Sequence, residues 1–143
     1  MEKQITSKSP DALFLQRISS EQRERYNLLE EAAWRASRYL TEVNDRPVFP
    51  EPEAVAGLAV FDEPLPETPR DPREVLTLLD EIGSPATVTS AGGRYFGFVI
   101  GGALPATLAA NWLAGAWDQN AGLKAASPVT AKLEQVSLNW LLD

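Results

Sequence analysis

Apolar positions Tyr26, Leu29, Ala33, Ala36, Leu40 and Val43 recur at alternating spacings of three and four, with Glu, Arg and Asn between them. That period lines them along one stripe of an amphipathic helix of about 20–25 residues. Ser19 with Gln22 offers a capping box near its start, and Ser9-Pro10 offers an earlier N-cap followed by proline at N1. The stripe packs either on its own domain or against a partner chain. Two heptads are too few for a coiled coil. Asn44-Asp45 and Arg46-Pro47 end the helix, because the residue before proline is pushed out of the α region.

The pattern then changes. Residues 46–72 hold Pro47, Pro50, Pro52, Pro64, Pro66, Pro69 and Pro72, with short apolar patches at Val55, Leu58, Val60 and Phe61. This reads as an extended, loop-rich connector, and sheet interior is not expected because proline donates nothing to a ladder. Asp71 caps and Pro72 opens a short helix whose apolar face is Val75, Leu76, Leu78, Leu79 and Ile82, ended by Gly83 and Ser84-Pro85. Ala86–Thr89 reads as a short extended stretch and Ala91-Gly92-Gly93 as a turn. Pro105 to Trp117 gives another helix, and Val129, Leu133, Val136, Trp140 and Leu141 give a last one after Ser127-Pro128. The fold class expected is mainly α.

Residues 95–117 carry no charge at all. The run is long enough to cross a bilayer, and Gly97-x-x-x-Gly101 imitates a helix-pairing motif. Gly101, Gly102 and Pro105 would break such a span where lipid demands a satisfied backbone, Asn111 sits in its middle, and no Lys/Arg cluster flanks it. No membrane span is therefore expected. The Gly101-Gly102 pair implies close backbone approach, dihedrals that favour glycine, or a tight turn.

Composition narrows the chemistry. The 143 residues carry a net charge of −7, which argues against nucleic acid as a partner. There is no cysteine and no histidine, so disulfides, thiolate nucleophiles and His-based nucleophile pairs are absent. MEKQITSKSPD has no apolar signal core, giving a cytoplasmic expectation. No P-loop, dinucleotide fingerprint or calcium-loop spacing appears. No metal site is expected, and Asp118 and Glu134 have nothing to set them across a substrate.

One set of ordered motifs remains. Arg94-Tyr95-Phe96-Gly97-Phe98, Gly101 to Pro105, Leu108 to Leu113, Asp118-Gln119-Asn120, Ser127-Pro128, Leu133-Glu134 and Trp140-Leu141 resemble the N-terminal part of the group II pyridoxal-phosphate-dependent decarboxylases. This family includes the aromatic-L-amino-acid, glutamate and tyrosine decarboxylases. The resemblance covers roughly residues 40–143, with Arg46-Pro47-Val48 and Pro50 also fitting. Gly93-Arg94 replaces the turn where the family often has histidine, and Asn111 stands where Asp is often found.

The resemblance implies an N-terminal helical segment of a fold-type-I pyridoxal-phosphate (PLP) enzyme lacking the large α/β domain. Residues 1–45 would be a dimer-wrapping helix, 46–72 the Pro-rich connector, and 73–143 a helical segment with the aromatic loop. The full-length family is a homodimer acting on a small-molecule substrate, an L-amino acid, and releasing carbon dioxide. Tyr95, Phe96 and Phe98 would line the substrate pocket, with core packing as their alternative. Asn120 and Gly122 would lie on a loop reaching the other subunit's site, and Phe98 leans toward an aromatic or apolar substrate. No catalytic or cofactor-binding residue is assigned. Lys3, Lys8, Lys124 and Lys132 match no Schiff-base lysine, so no cofactor is expected to bind these residues. The last helix breaks off at Leu141-Leu142-Asp143 without a capping glycine, and the expectation is a truncated, inactive portion. The rival expectation is a stand-alone helical interaction protein using residues 10–43 and 104–117 as docking faces.

Overall fold

The computed structural model describes residues 19–120 and 122–142. These are mainly helical, with no strand among them. Helix α1 spans Ser20–Glu42. Its capping box forms as the sequence specifies: Ser19 Oγ accepts from Gln22 N at 3.2 Å, and Gln22 Oε1 accepts from Ser19 N at 2.9 Å. Two otherwise orphaned backbone donors are thereby satisfied. The Ser9-Pro10 cap lies outside the described residues.

The connector is more ordered than its prolines suggest. Helix α2 spans Pro52–Gly57 and runs into a 3-10 turn over Leu58–Phe61. Pro52 sits at N1 behind Glu51, where the missing N–H costs nothing and the fixed φ favours helix. The expectation of a wholly extended connector is corrected for residues 52–61. Residues 62–71 carry neither helix nor strand and are exposed.

Helix α3 spans Pro72–Leu78, with the Asp71 carboxylate accepting from Arg73 N at 2.8 Å. It does not stop at Gly83 as its sequence implies. A π-helical turn covers Leu79–Gly83 and a 3-10 turn covers Ser84–Ala86 before the chain extends at Thr87. Gly83 keeps helical dihedrals there, so it supplies no left-handed stop. The expected extended stretch at 86–89 is tied to the chain leaving α1 by Thr89 N on the Val48 carbonyl at 3.1 Å, and it forms no strand.

The second half of α1 and the residues that follow it are paired with the 72–93 segment at offsets of 38 to 49 residues. The packed face of α1 is half polar. Leu28, Glu31, Ala32, Arg35 and Tyr39 are half-buried, whereas Leu29 and Leu40 of the apolar stripe stay 58% and 41% exposed. Among the described residues Val43 is the one buried apolar side chain. Of the stripe itself, Val43 is buried and Tyr26, Ala33 and Ala36 are half-buried, so α1 packs within its unit through part of that stripe together with Arg35 and Tyr39.

The chain divides into two units, residues 1–101 and 102–143, at the Gly101-Gly102 pair. The second unit holds α4 (Pro105–Trp117) and α5 (Pro128–Leu142), both where the sequence places them. Pro105 is at N1, and Asp118 ends α4 in a left-handed conformation with its N–H on the Ala114 carbonyl. Among the described residues, no helix is long and apolar enough to cross a membrane.

Candidate functional site

The aromatic loop closes the first unit, and its base is pinned from several directions. Thr89, 2% exposed, bonds the Val48 carbonyl through its N–H and the Pro47 carbonyl through its hydroxyl at 3.3 Å. Asn44 Oδ1 accepts from Gly93 N at 3.1 Å. Arg94 donates to the Arg46 carbonyl, and Arg46 in turn reaches the Ser84 carbonyl at 2.5 Å and stacks on the Tyr39 ring at 4.5 Å. These bonds tie the loop entrance to the chain leaving α1. They also satisfy backbone groups that a helix end otherwise strands.

Tyr95 is half-buried and packs edge-on against Phe49, ring centroids 6.5 Å apart at 60°. Its ring folds back over Gly97, where any Cβ would sit 2.8 Å from the phenol oxygen. A side chain at 97 would thus force Tyr95 off Phe49. Beyond Gly97 the chain turns, with Ile100 N bonded to the Gly97 carbonyl at 3.1 Å. Both central residues have positive φ, Phe98 at 53° and Val99 at 58°. That is the dihedral pattern of the primed turns that Gly, Asn and Asp normally occupy. For β-branched Val99 it is a true outlier, costing on the order of 1–3 kcal/mol.

The turn carries its apolar side chains outward. Phe96, Phe98 and Val99 are 93%, 85% and 105% exposed. Phe96 and Phe98 pack against none of the described residues, while Tyr95 packs on Phe49. Of the three readings left open for Gly101-Gly102, glycine-type dihedrals are not adopted there, and left-handed backbone falls on Phe98-Val99. Among the described residues no glycine has positive φ, and Gly101 has open space around it.

Asn120 and Gly122 belong to the second unit. There the Asn120 side-chain oxygen accepts from Gly122 N at 2.9 Å, closing an exposed Asx turn. Further along, the wholly buried Ser127 accepts from Thr130 Oγ1 at 2.5 Å, and its carbonyl takes the Ala131 N–H at the start of α5.

Clefts of about 400 and 300 Å³ lie along the first turns of α1, lined by Arg23, Glu24, Arg25 and Arg73 among others. One of about 200 Å³ lies between Arg46, Pro50, Ala54 and Pro85. None is lined by Tyr95, Phe96, Phe98, Asn120 or Gly122. Among the described residues no group of acidic side chains is placed to hold a metal ion.

Among the described residues, no lysine lines these three clefts. Lys124 and Lys132 are both exposed in the second unit. Lys3 and Lys8 lie outside the described residues. The strained turn at Phe98-Val99 escaped sequence reasoning, since neither residue type signals left-handed backbone. No family model, curated protein or solved structure matches the chain.

Proposed function

We propose that the chain is the N-terminal segment of a cytoplasmic PLP-dependent amino-acid decarboxylase, non-catalytic by itself. It would supply the substrate loop of an enzyme working as a homodimer. One observation carries the reading beside the resemblance: a loop pinned at its base presents Phe96 and Phe98 on a strained turn. Strain of this kind persists where a rigid surround over-determines it, and it gathers at ligand clamps. In the whole enzyme the cofactor supplies the electron sink. Phe96 and Phe98 would contact the side chain of an aromatic or apolar substrate and exclude water from it, while Tyr95, braced on Phe49, holds the loop.

The test reads the coding DNA past codon 143 and assays the protein so encoded. A frame with a histidine-lysine motif, and PLP-dependent carbon dioxide release from an L-amino acid, are expected. Phe98→Ala should then lower kcat/KM on the order of tenfold, the effect of one lost apolar contact. Absence of such a frame overturns the proposal. The 143-residue chain mixed with PLP should show no band at about 410–430 nm. A borohydride-trapped adduct at one lysine, with turnover, would overturn its non-catalytic part.

A second reading, a helical interaction protein without activity, is favoured by the exposed Trp112, Leu113, Trp117, Leu133 and Trp140 of α4 and α5. The same DNA reading separates the two.

A further inference from the structure

Helix α1 meets the rest of its unit through half-buried apolar side chains and, at its centre, through a cluster of charges. Arg35 Nη1 and Arg38 Nη2 both donate to one oxygen, Asp80 Oδ2, each at 2.6 Å. Arg35 Nη2 also reaches Thr77 Oγ1 at 2.9 Å and Glu31 Oε1 at 2.7 Å, and Arg73 approaches Glu31 at 3.4 Å. Tyr39 and Thr87 share a hydroxyl bond of 2.9 Å. The Asp80 side chain is only 9% exposed, while Leu29 and Trp34 on the same helix are each 58% exposed. Apolar contact is non-directional and yields gradually. Two guanidinium groups on one carboxylate oxygen are a directional joint that fails when that carboxylate is lost.

We propose that α1 is a releasable strap, latched onto the 72–83 segment by the Asp80 carboxylate and hinged at residues 43–48. Two further features point the same way. Asp80 sits in the π-helical turn Leu79–Gly83, a rare geometry that recurs where a side chain must be re-aimed. The strap is also equipped to stay helical when it lifts. It has 23 residues, its own capping box and the Glu21–Arg25 and Glu31–Arg35 pairs, and it exceeds the length at which isolated helices become marginal. The hinge end stays fixed by buried Val43, by Arg46 on Ser84 and by Thr89 on Val48. Release would swing out Glu31, Arg35 and Tyr39 and uncover Thr77 and Asp80. The inference does not depend on the decarboxylase reading.

Amide hydrogen exchange on the full chain tests it, with Trp34 as a second reporter. Arg38 lies 4.9 Å above the Trp34 ring while bonding Asp80, so opening the latch strips that ring of its cation. In a W112F/W117F/W140F background, Asp80→Asn should raise acrylamide quenching of Trp34. It should also speed exchange of residues 72–83 on the order of tenfold, with far-UV helicity retained. Arg38→Met, which removes one of the two arms, should speed the same exchange about threefold. Leu29→Ala and Leu40→Ala, on the exposed stripe, should change nothing. Wild-type exchange in both latch variants overturns the proposal, as does equal opening by the Leu29 or Leu40 variant. If Asp80→Asn loses helicity outright, Arg38→Met decides by the same exchange readout.

Discussion

The two units hold themselves in opposite ways. In the first, polar side chains turn inward: Arg35, Asp80, Glu31, Thr77, Arg46 and Ser84 join helix to helix, and large apolar side chains such as Trp34 and Leu29 look out. In the second, the uncharged helix α4 and its neighbour α5 bury no apolar side chain among the described residues. The one buried group there is Ser127. A helix apolar all round is ordinarily a buried helix. The first unit is held by polar side chains turned inward, while the second leaves its apolar side chains exposed.

The sharpest break of that comparison is association of the full chain. Exposed apolar surface on this scale marks an interface or an aggregation site, so the chain should bind hydrophobic dye and self-associate on sedimentation. Trp140→Ser with Leu141→Ser removes two side chains that are 77% and 83% exposed. Each contributes about 1.5–3 kcal/mol when buried, so the pair should weaken association roughly a hundredfold or more. A monomer at all concentrations, with or without these changes, would show that the second unit needs no cover.

The first unit breaks at its charges. Arg35→Met leaves Asp80 with one arm and Glu31 without its main partner, and should cost about 2 kcal/mol in the melting of that unit. This is reduced from the cost at a fully buried pair because Glu31 remains partly wet. Hydrogen bonds donated first to Glu31 and then to Asp80 raise the Arg35 pKa above its ordinary value. A raised pKa gives stabilisation that is present below the unfolded value and lost only as pH climbs past it. The arginine side of the network is therefore insensitive to pH through the neutral range. A melting temperature unchanged by Arg35→Met would move the unit's stability back to apolar contacts.

What was legible in the sequence follows from these same forces. The Ser19 box, the Asp71 cap and the prolines at 72, 105 and 128 mark helix starts, because each acts within one turn of itself. The face of α1 was legible in part. Its period of 3.6 locates a stripe of which Val43 is buried and Tyr26, Ala33 and Ala36 are half-buried, but the exposure of Leu29 and Leu40 goes with Arg35 and Arg38 meeting Asp80 some 42 to 45 residues away. The π turn at Leu79–Gly83 was hidden for the same reason. Tyr95, Phe96 and Phe98 could be singled out as a group, yet Tyr95 bracing against Phe49 and Phe96 and Phe98 projecting outward depend on contacts that spacing does not encode.

Strain at the loop gives a smaller test. Val99 is fully exposed, so replacing it removes no packing. Asn tolerates left-handed backbone that a β-branched residue resists. Val99→Asn should therefore stabilise the first unit by about 1 kcal/mol in thermal melts. In the assembled enzyme of the proposed function, activity should stay the same or fall, because stability improves where pre-set strain is relaxed. A destabilised variant would mean that Val99 has contacts worth more than its strain.

The smallest effect lies in the second unit. Asp118 ends α4 at φ 48° and ψ 51°, a conformation that costs an L-residue about 1 kcal/mol and glycine almost nothing. Glycine also loses more chain entropy on folding, which returns part of that gain. Asp118→Gly should thus add only about 0.5 kcal/mol to α4, seen as slower amide exchange near residue 114. Its value is the contrast with Val99→Asn. Both relieve a left-handed residue, but the second acts in a unit with a pinned frame and the first in a unit without one. If Asp118→Gly instead yields a large cooperative gain, the second unit already has a core of its own, and the distinction between the two units narrows to the face each helix buries.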